Sequence, residues 1–102
     1  MNKYLKTTPN LEGKETVSKF YKITNEEDLC KVQELLMSEG YNTPDGKFIT
    51  MLDFKRAYPR NRVYVIHARY NNITKRLEYT GGTTQIYATC TNTGKIKFEE
   101  IA

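Results

Sequence analysis

The run Arg62–Phe98, RVYVIHARYNNITKRLEYTGGTTQIYATCTNTGKIKF, decides the fold class. Apolar and polar residues alternate along it, which is the period of a β-strand with one buried face. Three turn sequences interrupt the alternation at Asn71–Asn72, Gly81–Gly82 and Asn92–Gly94, and each is typical of a tight hairpin. We therefore expect a four-stranded antiparallel β-meander over about residues 62–101.

The alternation also assigns side chains to the two faces of this sheet. The shortest loops pair Ile66 with Leu77 and Tyr64 with Tyr79, and an even lengthening of the first loop keeps every residue on its face. The larger apolar residues collect on one face: Tyr64, Ile66, Ala68, Leu77, Tyr79, Ile86, Ala88, Cys90, Ile96 and Phe98. The opposite face, which we expect to meet solvent over much of its area, carries Val63, Val65, His67, Arg69, Arg76, Glu78, Gln85, Tyr87, Thr89, Lys97 and Glu99.

The main helix is predicted over about residues 25–39. Thr24 or Asn25 can cap it, and the acidic residues 26–28 suit the positive end of the helix dipole. Gly40 supplies the left-handed conformation that ends many helices. An apolar stripe at helical spacing, formed by Leu29, Val32, Leu35 and Leu36, must be buried against the apolar face of the sheet.

The remaining segments complete an α+β domain over residues 16–102. A first strand is expected at 16–23, on an edge of the sheet. Thr50 and Asp53 have the spacing of a capping pair, which predicts a short second helix over about 50–58. Residues 1–15 have no periodicity, and we expect them to form a flexible or peripheral arm.

The positive charge is concentrated in residues 54–76. That stretch holds seven basic residues and no acidic one, whereas the rest of the chain holds nine basic and twelve acidic residues, for a net charge of +4. Arginine and tyrosine together are typical of surfaces that bind nucleic acid. We therefore predict a small cytoplasmic, non-enzymatic binding module for RNA, DNA or a protein that handles them. The residues predicted to bind are Lys55, Arg56, Tyr58, Arg60, Arg62, Arg69, Arg76 and Tyr87.

Two alternatives remain open at this point. The predicted sheet brings His67 and Glu78 within cross-strand reach, and the layout resembles that of small metal-independent ribonucleases, although no motif of such enzymes is matched. A protein–protein interaction module, including an inhibitor of a bacterial protein, also fits a chain with eight tyrosines. The composition, poor in alanine and rich in lysine, asparagine, threonine and tyrosine, is similar to that of small phage and mobile-element accessory proteins.

Several classes of site and location are not expected. Cys30 and Cys90 lie far apart without metal-ligand spacing, and His67 is the single histidine, so we expect no metal and no cofactor. No apolar run approaches the length of a membrane span, and the first residues lack the apolar centre of a signal peptide. We therefore expect no membrane partner.

Overall fold

A three-stranded antiparallel sheet, in the order β1-β2-β3, is the centre of the fold. The structure is a computed structural model that describes residues 18–89, 91 and 93–101. The described elements are β1 (Lys19–Ile23), α1 (Glu26–Ser38), α2 (Met51–Ala57), β2 (Tyr64–Asn71), β3 (Arg76–Gly82) and α3 (Thr84–Ala88). The arm predicted for residues 1–15 lies outside the described residues. None of the described helices is both long enough and apolar enough to cross a bilayer.

Local capping sets the start of the first two helices. Asn25 caps α1 by accepting a hydrogen bond from the Asp28 N–H at 2.8 Å. Thr50 and Asp53 form a reciprocal capping box on α2, with backbone-to-side-chain distances of 3.1 and 2.9 Å. The main helix and the short second helix expected from the sequence are therefore present within one or two residues of their predicted bounds.

The β2–β3 hairpin has a longer connection than the shortest loop predicts. Asn71 pairs with Arg76, which leaves the four residues 72–75 in the turn, and Lys75 adopts a left-handed φ of 62°. Tyr79 consequently pairs with Ala68 and not with Tyr64, a displacement of four residues. Because this displacement is even, β2 and β3 keep the predicted faces.

The predicted four-stranded meander is wrong, and Gly81 and Gly82 show why. Both glycines lie inside β3 instead of forming a turn. A Cβ on Gly81 would lie 2.6 Å from Cε1 of Phe54, and a Cβ on Gly82 would lie 2.7 Å from Cε2 of Tyr87. Each glycine therefore makes room for an aromatic ring, on opposite faces of the sheet, because successive strand residues point to opposite sides.

The residues after β3 form a helix where strands were expected. The Thr83 hydroxyl accepts a hydrogen bond from the Ile86 N–H at 3.3 Å and caps α3. Farther along, the only described pairing is a single parallel bridge between Phe98 and Phe20 on the outer edge of β1. The sheet thus has three strands, with β1 paired to β2, and Cys90 lies outside the described residues.

Both faces of the sheet are covered. The first face packs against α1 and α2 and contains the main core, which includes Ile23, Leu29, Leu36, Phe54, Tyr64, Ile66 and Tyr79. The second face, expected to be largely open, is covered by α3 and by residues 96–98, and its smaller cluster consists of Phe20, Val65 and Tyr87 with Ile96 and Phe98. Ile96 and Phe98 therefore pack on the face opposite to the predicted one, and Ile86 is exposed.

Candidate nucleic-acid interface

All six basic residues that were predicted to bind are exposed to solvent. They are Lys55, Arg56, Arg60, Arg62, Arg69 and Arg76. The two ion pairs between described residues lie elsewhere and join Lys19 to Glu39 and Lys31 to Glu27. Folding therefore leaves these six charges without an ion-pair partner among the residues that the structure describes.

The six cations form two separate groups. The loop cations, defined as Lys55, Arg56, Arg60 and Arg62, lie on α2 and in the connection to the start of β2. The hairpin cations, defined as Arg69 and Arg76, lie toward the other end of β2 and on β3. Tyr64 and Arg69 are five positions apart along β2, which corresponds to about 17 Å. In addition, α2 covers the first face, whereas alternation along the strands places the hairpin cations on the second. The structure does not gather the predicted set into one patch.

The hairpin cations are neighbours across the strands. Arg69 pairs with Glu78 and Asn71 pairs with Arg76, so the two arginines are diagonal, with an expected separation of about 7–8 Å. Neither guanidinium has a hydrogen bond or ion pair to a described residue. Their fixed forks of N–H donors therefore remain available to a ligand that carries paired oxygens.

The carboxylate of Glu78, which lies opposite Arg69 in the register, is bound inside the turn. Its Oε1 accepts a hydrogen bond from Nδ2 of Asn71 at 2.8 Å, and its Oε2 accepts one from the hydroxyl of Thr74 at 3.1 Å. Glu78 is buried, with 7% of its surface exposed. A buried carboxylate needs such partners, and here they fix the shape of the turn between β2 and β3.

The tip of the hairpin carries an exposed isoleucine that the sequence analysis did not single out. The side chain of Asn71 accepts hydrogen bonds from the N–H groups of Ile73 at 2.8 Å and Thr74 at 3.3 Å. Ile73 itself is 91% exposed. The signal that could have found it is an asparagine able to close a longer turn, followed by an apolar residue between basic ones.

His67 lies beneath the cover of the second face. Its ring stacks on Phe20 with centroids 4.5 Å apart and planes 5° from parallel, and Tyr87 lies against it at 4.9 Å. The side chain is 6% exposed, and Nε2 has no hydrogen-bond partner among the described residues. Burial, with a smaller contribution from the charge of Arg69, lowers the pKa of His67 to about 4. The imidazole is therefore neutral at pH 7.

These positions argue against the ribonuclease alternative. His67 pairs with Thr80 and is only diagonal to Glu78. The imidazole is covered by aromatic rings, and the carboxylate is occupied inside the turn. A general acid and a general base must both reach a substrate, and neither of these groups is exposed to one.

The two predicted aromatic contacts are also less accessible than a stacking surface requires. Tyr87 is buried, and its hydroxyl shares a 3.0 Å hydrogen bond with that of Thr80. Tyr58 is half-buried against the main core. Base stacking needs a free ring face, so the cations and the hairpin tip are the stronger candidates for contact.

An open groove of about 510 Å³ lies between α3 and residues 94–98. Lys95 is its charged lining residue, and the rest of the lining consists of Thr84, Gln85, Ala88, Gly94, Ile96 and Phe98.

Among the described residues there is no cluster of three histidine, cysteine, aspartate or glutamate side chains placed to hold a metal ion. No family model, curated protein or solved structure matches this chain, so its assignment rests on the residues and geometry described above.

Proposed function

We propose that this chain is a non-enzymatic nucleic-acid-binding module whose main contact is the β2–β3 hairpin. The observation that carries the proposal is that Arg69 and Arg76 lie diagonally on one face, exposed, and without an ion pair to any described carboxylate. Like charges this close repel one another in the free protein, although Glu78, opposite Arg69 on the same face, offsets part of that repulsion. An anion bound between them removes that repulsion and accepts hydrogen bonds from both side chains.

A polymer of phosphates fits this distribution of charge better than a small anion does. The loop cations form a second positive group near the start of β2, about 17 Å from the hairpin cations and beside the other face of the sheet, so only an extended ligand can reach both groups. Duplex DNA carries one negative charge for about every 1.7 Å of its axis, and basic side chains that neutralise its phosphates release condensed counterions. The loop cations then contribute through their field and through contacts with more distant phosphates.

The test is to measure the affinity for fluorescent duplex DNA and single-stranded RNA at about 50 and about 200 mM salt. We expect binding that weakens steeply with salt while the strands stay intact on a denaturing gel. The double variant Arg69→Ala/Arg76→Ala should weaken binding at low salt and lower the slope of log affinity against log salt by about 2.

The matched control is Lys31→Ala/Lys47→Ala, which removes the same charge from α1 and the 43–50 loop. Both lysines are exposed, and Lys31 is already paired with Glu27 at 3.4 Å. We expect this variant to change the affinity little. Equal losses of affinity in the two variants would show that binding depends on net charge and not on the hairpin. If the wild-type chain binds no nucleic acid at low salt, the proposal is refuted and a protein partner becomes the better explanation.

A further inference from the structure

The tip of the β2–β3 hairpin exposes a large apolar side chain among cations. Ile73 is 91% exposed, more than any other described large apolar residue; the next is Leu52 at 55%. Arg69 and Arg76 stand on the strands that lead into and out of the tip, and Lys75 lies in the turn itself. Single exposed apolar residues are common on protein surfaces. What distinguishes Ile73 is its place at the end of a hairpin that carries three cations.

The tip is held in one shape before any partner arrives. Asn71 receives the N–H groups of Ile73 and Thr74 through its side chain, and its backbone carbonyl accepts the Lys75 N–H at 2.7 Å. The carboxylate of Glu78 stabilises this arrangement by accepting hydrogen bonds from the side chains of Asn71 and Thr74. A turn with this many internal hydrogen bonds loses little conformational freedom when it binds.

An exposed apolar side chain flanked by cations matches one way in which proteins bind and bend duplex DNA. Proteins that bend DNA insert isoleucine, leucine, methionine or phenylalanine between base steps from the minor groove, while cations hold the flanking phosphates. The minor groove of B-DNA is about 6 Å wide, and some β-ribbon proteins place their strands in it as they bend the duplex. An aliphatic side chain offers no π-face for stacking on single strands, so a duplex is the better match.

We propose that Ile73 is a wedge that inserts into the minor groove of duplex DNA at a flexible pyrimidine–purine step, with Arg69 and Arg76 on the adjacent backbone. The inference rests on the proposed nucleic-acid function and makes it specific to a bent duplex. The turn enters the groove, the arginines remain outside on the phosphates, and the bend brings more of the basic hairpin against the DNA.

The experiment uses a duplex with a central TA step, a 2-aminopurine beside that step and a fluorescent dye pair at its ends. We expect the wild-type chain to brighten the 2-aminopurine as the step unstacks, and to increase energy transfer as the ends approach. Ile73→Ser should lose both signals yet keep the salt slope, because the phosphate contacts remain. Ile73→Leu, which keeps a wedge of similar size, should retain both signals.

Ile86→Ser is the matched control. Ile86 is also exposed, at 45%, but it lies on α3, which follows the opposite end of β3 from the tip. We expect it to unstack and bend the duplex as the wild type does. The wedge is overturned, and the proposed function kept, if the wild type binds without unstacking the step or if Ile73→Ser unstacks it fully. The wedge is also overturned if the chain does not bind duplex DNA at low salt. If it binds neither duplex DNA nor RNA, the proposed function is overturned as well.

Discussion

Tyr79 donates a hydrogen bond from its phenol to Oε1 of Gln33, with the two oxygens 2.6 Å apart in the core of the first face. The same Gln33 amide accepts the Ile49 N–H and donates to the Ile49 carbonyl, both at 2.8 Å. This fully buried glutamine thus joins α1, the sheet and the segment that leads into α2. Burial also raises the pKa of Tyr79 to about 12, so the phenol remains a donor at neutral pH.

We expect Gln33→Leu to be more destabilising than Tyr79→Phe. The leucine leaves the Tyr79 hydroxyl and both backbone groups of Ile49 without their partner, at a cost of about 2–4 kcal/mol in the free energy of unfolding. The phenylalanine removes one hydrogen bond while Gln33 keeps Ile49, at a cost of about 1 kcal/mol. Urea unfolding of the two variants measures the difference, and the reverse order would show that the glutamine is not the centre of this network.

Acid should destabilise the fold through His67. The folded-state pKa is about 4 against an ordinary value of 6.5, so the unfolded chain binds the proton more tightly. The stabilisation is therefore complete above pH 6.5 and is lost as the pH falls from 6.5 to 4, by about 3 kcal/mol in all. Urea unfolding measured at a series of pH values across this window should show the loss.

The control for this prediction is His67→Phe, which keeps a flat ring against Phe20 and has no proton to bind. Carboxylates titrate in both proteins, so the contribution of His67 is the difference between the two pH profiles. We expect the variant to lose markedly less stability than the wild type between pH 7 and pH 4. Parallel profiles would mean that His67 can be protonated without leaving its buried position.

Gly81 should tolerate no side chain while Phe54 occupies its present place. The Cβ of Gly81→Ala would lie 2.6 Å from the Phe54 ring, and that ring is itself stacked on Tyr64 at 4.6 Å. We expect a loss of about 1–3 kcal/mol from the overpacking, measured by urea unfolding.

A second change at Phe54 tests the cause of that loss. Phe54→Leu leaves a partial cavity and is destabilising alone, but it also makes room for the new methyl group. The double variant Gly81→Ala/Phe54→Leu should therefore be more stable than the sum of the single losses implies. Strict additivity would assign the cost of the alanine to the strand backbone instead of the ring.

The elements that local chemistry determines were predictable from the sequence. The Asn25 cap and the apolar spacing of α1 act within a few residues, and strand alternation kept the faces of β2 and β3 even though the register moved by four. Gly81–Gly82 was misinterpreted because paired glycines signal either a turn or a close ring contact. The deciding rings, Phe54 and Tyr87, come from parts of the chain whose position the sequence pattern does not give.

In the candidate site, too, some features could be predicted from the sequence and others depend on distant parts of the chain. Exposure of Arg69 and Arg76 could be expected, because charged side chains without partners stay in water. The burial of His67 and Tyr87 could not, since it depends on α3 and residues 96–98 covering the second face. The position of Ile73 at the tip could be recognised only from the observed turn, because a shorter loop places other residues there.

The two groups of cations should differ in their effect on binding. Arg69→Ala/Arg76→Ala and Arg56→Ala/Arg60→Ala each remove two exposed arginines, so the change in net charge is the same. The hairpin arginines flank one tip and can hold neighbouring phosphates, whereas Arg56 lies on α2, which covers the other face of the sheet. We therefore expect the hairpin variant to lose more affinity for duplex DNA and more of the salt slope, about one unit for each phosphate contact removed. A larger loss of affinity in the Arg56/Arg60 variant would show that α2 and the loop after it form the main binding surface. The tip of the hairpin would then not be the main contact with DNA.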